Sequence, residues 1–129
     1  MTVNLPDVQT ELAMEFARYE AALTGNDVAA LDALFWNAPA AVRYGATENL
    51  YGYDQIAAFR AARSPVGLAR TLTRTVITTF GRDAGTTMTE FVREGSPGRL
   101  GRQSQTWVRF GEGWRIVAAH VSIIEEPRC

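Results

Sequence analysis

The sequence predicts an α+β domain, with helices gathered near its start and a strongly bent antiparallel sheet at its end, the helices lying on one face of the sheet. Two observations predict it. Apolar residues recur at helical spacing in three early segments, and from Ala69 onward they alternate in β-branched segments separated by glycine-bearing turns. With 129 residues, 47% hydrophobic and 21% charged, the chain suits a single domain, residues 1–129, large enough to bury a core without disulfides or metals.

Pro6 and Asp7 suit a helix start, and Val8, Leu12, Phe16, Tyr19 and Leu23 keep helical spacing until Gly25 and Asn26 stop it. Asp27 caps a second, shorter helix through Leu31, Leu34 and Phe35, which Pro39 breaks. "AAVRYGA" reads as a strand, Gly52 as a turn, and Tyr53 to Arg63 as a third helix ended by Ser64, Pro65 and Gly67. The segments "ARTLTRTVITTF", "AGTTMTEFVRE", "RLGRQSQTWVRF" and "GWRIVAAHVSII", separated by "GRD", "GSPG" and "GEG", read as four long strands in a meander. No repeat, linker or low-complexity tract interrupts this order.

The net charge is −1, and all thirteen basic residues are arginine. No basic cluster is interleaved with aromatics, so neither nucleic acid nor an anionic membrane is expected as a partner. The lone cysteine, Cys129, excludes a disulfide within one chain, and a reducing cytoplasm is the simplest home. The start "MTVNLPDVQTEL" lacks a basic region followed by an apolar run, and "IVAAHVSII" is too short to span a membrane. A soluble, unexported protein is expected.

The third helix poses a question. At about 100° per residue, Ile56, Phe59, Arg60 and Arg63 share one stripe, and Ala57, Ala58, Ala61 and Ala62 share the other. The charges therefore accompany the bulky residues, and they need an anion inside the fold, either a ligand or a structural partner such as Glu48 or Glu90. Tyr19 lies within about 40° of Leu12 and Leu23 on the first helix, so it faces inward, as a core tyrosine bonded to a carbonyl or as a site residue. Arg43, between Val42 and Tyr44, takes the opposite sheet face from both, at a solvated edge or in a site. His120 shares a face with Ala118 and Ser122, as a satisfied strand histidine or a proton carrier.

One histidine with no cysteine nearby leaves no protein-built zinc site and no Cys-His nucleophile, so no metal is expected. No nucleophile elbow and no phosphate-binding glycine pattern is present. What remains is a pocket in which arginines hold an anion and a tyrosine handles a proton or a developing charge, with or without His120.

The order of elements resembles the conical fold shared by ketosteroid isomerase, SnoaL-type cyclases and nuclear transport factor 2. Within it, "ELAMEFARYEAALTGNDVAALDALFW", "RYGATENLYGYDQIAAFRAARSP" and "GRQSQTWVRFGEGWRIVAAHVS" are similar to the AtzH-like family over nearly the whole chain. The resemblance implies a cofactor-independent enzyme that promotes C–N hydrolysis or decarboxylation of small carboxylated ureas, oxalurate or dicarboxyurea, which are planar anions. It places the family's proposed catalytic tyrosine at Tyr19 and its proposed arginine at Arg43. Arg60, Arg63, Arg70 and His120 are then candidate substrate contacts. A non-catalytic accessory role is the rival expectation, because conical folds also serve as association modules. A homodimer is expected through the open sheet face, to which alternation assigns Val76, Trp107, Val117 and Val121, an assignment that a bulge would reverse.

Overall fold

The structure, a computed structural model, describes residues 1–126; Cys129, on which the disulfide reading rests, lies outside the described residues. Helix α1 spans Pro6–Thr24, with proline in its first turn, where the missing N–H is no loss. It buries Val8, Leu12, Phe16, Tyr19, Ala22 and Leu23, the stripe expected from the spacing. Asn26 turns the chain at a positive φ of 51°, and Asp27 caps α2 (Val28–Leu34) by accepting the Ala30 N–H at 3.1 Å. Helix α2 ends at Leu34, well before Pro39, because Phe35 turns extended and bridges Ile116.

Strand β1 (Val42–Tyr44) and a strand not expected from the sequence, β2 (Asn49–Tyr51), form a hairpin. Three residues are too few for alternation to declare itself. Gly52, at φ 86°, then leads into α3 (Tyr53–Ala62). The four long strands are β3 (Thr71–Phe80), β4 (Ala84–Val92), β5 (Arg99–Phe110) and β6 (Gly113–Glu125). The sheet order is β2-β1-β6-β5-β4-β3, antiparallel throughout except for β1 beside β6. This is the α+β conical architecture, with the helices against one face of the curved sheet.

Two rows of side chains define the faces. Leu50, Arg43, Ala119, Gln105, Thr87 and Ile77 are neighbours on the covered face. Tyr44, His120, Ser104, Met88 and Val76 are neighbours on the open face. The core lies under the helices, where Trp107, Ile116, Leu12, Leu31 and Ile56 are almost wholly enclosed.

These rows correct the expected open face. Trp107 is 0% exposed and lies under the helices, two residues from Gln105 on the same strand face. Val121, beside Gln103, also points to the covered side, and Val117 is the extra residue of a bulge opposite Thr106 and Trp107. Only Val76 stays on the open face as expected, 49% exposed. The reason is weak contrast along β5. The face carrying Trp107 also carries Gln103 and Gln105, so alternation of polarity does not say which side the helices cover.

Near the far end of the covered face, the Phe91 ring lies directly over Gly101, so a side chain at 101 would occupy the ring's place. Gly101→Ala is expected to destabilise the fold by about 1–3 kcal/mol through overpacking, read as a lower urea midpoint. An unchanged midpoint would mean that the ring has room to move.

Candidate functional site

The covered face makes the floor of the site. Arg43 and Gln105 flank Ala119 in one row, and Gln103 follows Gln105 two residues back along β5. Helix α1 lowers Tyr19, 5% exposed, over this floor. Helix α3 supplies the wall and has the predicted polarity: Ile56 and Arg60 are buried, while Ala58, Ala61 and Ala62 are exposed. Arg63 follows as the C-cap, in extended conformation, its N–H bonded to the Arg60 carbonyl.

Three of the arginines have carboxylates of their own. Arg43 donates to Glu48 at 3.0 Å and lies 5.7 Å from the Phe59 ring centre. Arg60 pairs with Asp32 of α2 and lies over Phe35 at 4.8 Å, which makes it a brace between α2 and α3. Arg70 pairs with Glu20 of α1, donates to Gln103 Oε1 at 3.3 Å and lies over Phe91 at 4.3 Å. Neither partner named from sequence for the α3 arginines meets them: Glu48 serves Arg43, and Glu90 stands on the open face in register between Arg74 and Arg102.

Arg63 and Arg93 differ. Arg93 follows β4 and shares the Phe91 ring with Arg70, at 4.8 Å. Neither has an ion pair among the described residues, and Arg63 Nε, Arg63 Nη2 and Arg93 Nε are buried without a hydrogen-bond partner. Burial pushes the Arg63 guanidinium below the ordinary arginine value; Tyr19 opposes this, and the charges of Arg43, Arg60 and Arg93 add to it. Burial lowers Arg93 too, with Arg70 adding and Glu20 and Tyr19 opposing. Tyr19 is therefore an electrostatic neighbour of both unpaired cations.

The two glutamines are fixed in orientation. Trp107 Nε1 donates to Thr87 Oγ1 at 3.0 Å, so the Thr87 proton is left to donate to Gln105 Oε1, also at 3.0 Å. Arg70 has no acceptor, so Gln103 must offer it Oε1. Both amide groups consequently present Nε2 elsewhere, and both Nε2 atoms are buried and unpartnered. Of the seven such atoms among the described residues, five are N–H groups of Arg63, Arg93, Gln103 and Gln105. The set calls for an acceptor-rich anion.

Burial raises the Glu48 carboxyl, but the Thr47 hydroxyl and Arg43 outweigh it and hold the group below its ordinary value of 4.5. A depressed carboxyl stabilises the fold above its unfolded pKa, and that contribution is lost as pH falls through the folded one. Glu48→Gln is therefore expected to flatten the acid-side decline in stability, measured by urea midpoints at neutral and acid pH. A decline as steep as in the wild type would remove Glu48 from the account.

Placement of the expected site residues is thus uneven. Tyr19, Arg43 and Arg63 come together, while Arg60 and Arg70 adjoin them with their charges matched by Asp32 and Glu20. His120 is a correction. It stacks edge-on against Tyr44 at 5.8 Å on the open face, with the sheet between it and Arg43, because β1 and β6 are in register and alternate together. Beside it lies an open concavity of about 530 Å³, lined among others by Val76, Met88, Glu90, Arg102 and Ser104. Arg93, Gln103 and Gln105 were missed; the signal was two glutamines in step with Trp107, polar groups on a face that also carries a tryptophan. Among the described residues no cluster of His, Cys, Asp or Glu could hold a metal, and no helix is long and apolar enough to cross a membrane.

A Pectobacterium atrosepticum protein of unknown function is 58% identical, over 95% of each chain, with a TM-score of 0.93. A cystatin-like fold protein from Burkholderia xenovorans is 49% identical over 98% of this chain and 99% of its own, with a TM-score of 0.95. A nuclear transport factor 2-like protein from Salmonella enterica, 24% identical over 95% and 94%, shares the fold with a TM-score of 0.74. No protein with a curated description matches. The profile of the AtzH-like family matches residues 1–127, and the chain belongs to that family.

Proposed function

We propose that this protein is an enzyme of ureide catabolism, akin to the oxalurate-catabolism protein HpxZ, which binds a carboxylated urea on the covered face and cleaves one of its C–N bonds. The observation that carries this reading is the set of five buried, unpartnered N–H groups on Arg63, Arg93, Gln103 and Gln105, the two arginines lying within reach of Tyr19. Carboxylated ureas are planar and rimmed with acceptor oxygens, which suits such a set. Arg43, of which Glu48 takes one terminal nitrogen, keeps donors for a carboxylate. In this reading water adds to the carbonyl carbon and the C–N bond breaks. Tyr19 gives its proton to the departing nitrogen and recovers one from the added water.

The test is to incubate purified protein with oxalurate and with dicarboxyurea and to follow ammonia and carbon dioxide. Release from either supports the enzyme. If neither turns over but a small dicarboxylate gives heat in calorimetry, lost in Arg43→Ala, the protein is a binding subunit instead, and co-purification with an amidase would support that role.

We also propose that a second copy covers the open face. Met88 and Val76 are 55% and 49% exposed in the row that includes His120, and the next row sets Glu90 between Arg74 and Arg102, charges that a twofold axis can pair reciprocally. Light scattering at micromolar concentration is expected to give a dimer mass, and Met88→Glu a monomer. A wild-type monomer, or a dimer indifferent to Met88→Glu, rejects this surface.

A further inference from the structure

The open face carries charges that do not match within one copy. Arg74, Glu90 and Arg102 stand side by side on β3, β4 and β5, and Ser122 of β6 completes the row. Arg102 turns to that serine, donating to its Oγ at 3.0 Å, and among the described residues Glu90 has no ion pair with the arginine on either side. Two guanidinium groups to one carboxylate leave the row with an excess of positive charge. A twofold contact through this face gives each Glu90 the partner subunit's guanidinium groups, and it also doubles the excess.

His120 stands in the adjoining row, opposite Ser104, and is exposed in the single copy. It lines the same concavity as Arg74, Glu90 and Arg102. Tyr44 of β1 and Tyr51 of β2 share its face, and their hydroxyls lie 3.1 Å apart in a hydrogen bond, which raises the Tyr51 phenol above its ordinary value of 10.0. Phenols are uncharged near neutrality, arginines and carboxylates stay charged, and an imidazole is the side chain whose ordinary charge change falls between about pH 5 and 8. A second copy takes this ring out of water on a face that holds Met88, Val76 and the surplus guanidinium groups, where desolvation and repulsion both oppose an added positive charge. We infer that the two copies pair with His120 neutral and that protonating this histidine separates them. This rests on the open face being the contact between copies, as proposed above. The single copy then takes up the proton more readily than the pair, so association weakens as pH falls and returns as it rises.

Fluorescence-detected sedimentation of the full chain from nanomolar to micromolar concentration, at about pH 8 and about pH 5.5, tests it. The dissociation constant of the pair is expected to rise on the order of 10- to 100-fold at the lower pH, the upper figure being a tenfold penalty for each of two ordinary imidazoles. His120→Gln should pair equally well at both pH values, and His120→Arg, with a permanent charge, should pair weakly at both. A wild-type constant indifferent to pH, or a His120→Gln protein that keeps the wild-type response, would overturn the role of His120 while leaving the dimer in place. A wild-type monomer at both pH values would remove the contact and this inference with it. Urea midpoints check that each variant is folded. Should one not fold, the wild-type constants decide alone, a rise at the lower pH supporting the inference and equal values rejecting it.

Discussion

Tyr19→Phe is expected to lower turnover of a carboxylated urea by about 100- to 10,000-fold, the usual contribution of a positioned proton donor. The aromatic ring belongs to the core cluster with Leu12, Leu23 and Leu31, and phenylalanine preserves that packing, so the melting temperature should move little. Ligand affinity should also hold, because in the proposed site the anion is gripped by guanidinium and amide groups that the substitution leaves alone. The informative pattern is a fall in kcat with KM nearly constant. Undiminished kcat would take the proton transfer away from Tyr19, and a loss confined to KM would make its hydroxyl a binding group.

Trp107→Ala carries the largest expected loss of stability, about 3–5 kcal/mol, because the side chain is wholly enclosed and its removal leaves a cavity. It also removes the N–H that Thr87 accepts, the first link in the relay that orients Gln105. Thr87→Val separates the two effects. Its volume is kept, yet Trp107 Nε1 and Gln105 Oε1 both lose their partner, at about 1–3 kcal/mol for each group left unpaired. Urea denaturation reads the stability and dicarboxylate calorimetry reads the site. A Thr87→Val protein with wild-type stability and affinity would show that the relay orients nothing.

The helices and the break into β structure were legible because each rests on a local period. The inward arginines of α3 were legible for the same reason, since Ile56, Phe59, Arg60 and Arg63 fall on one stripe whatever they later meet. The faces of β5 and β6 were not. A helix declares its buried side by its own polarity, whereas the covered face of this sheet holds Gln103, Gln105, Thr87 and Arg43 beside Trp107, and the open face holds Val76 and Met88. Each strand then shows polar and apolar residues on both sides, and His120 and Val121 exchange roles with the choice. Arg93 was invisible for another reason: it is singled out only by the ion pair it lacks, and a missing partner is seen only when every neighbour has been assigned.

The placement of β1 beside β6 sets an order of events during synthesis. Arg43 enters the chain early, but the neighbour that fixes it to the floor, Ala119, is on the last strand. A hairpin of two three-residue strands is too short to persist alone in water, so Arg43 has no settled position until β6 has docked. Pairing across such a sequence separation is slow, because the loop must close before any contact rewards it. The proposed anion-binding set is thus the last part of the molecule to mature, and a nascent chain stalled before β6 would carry its helices and its arginines without the floor on which that set is assembled.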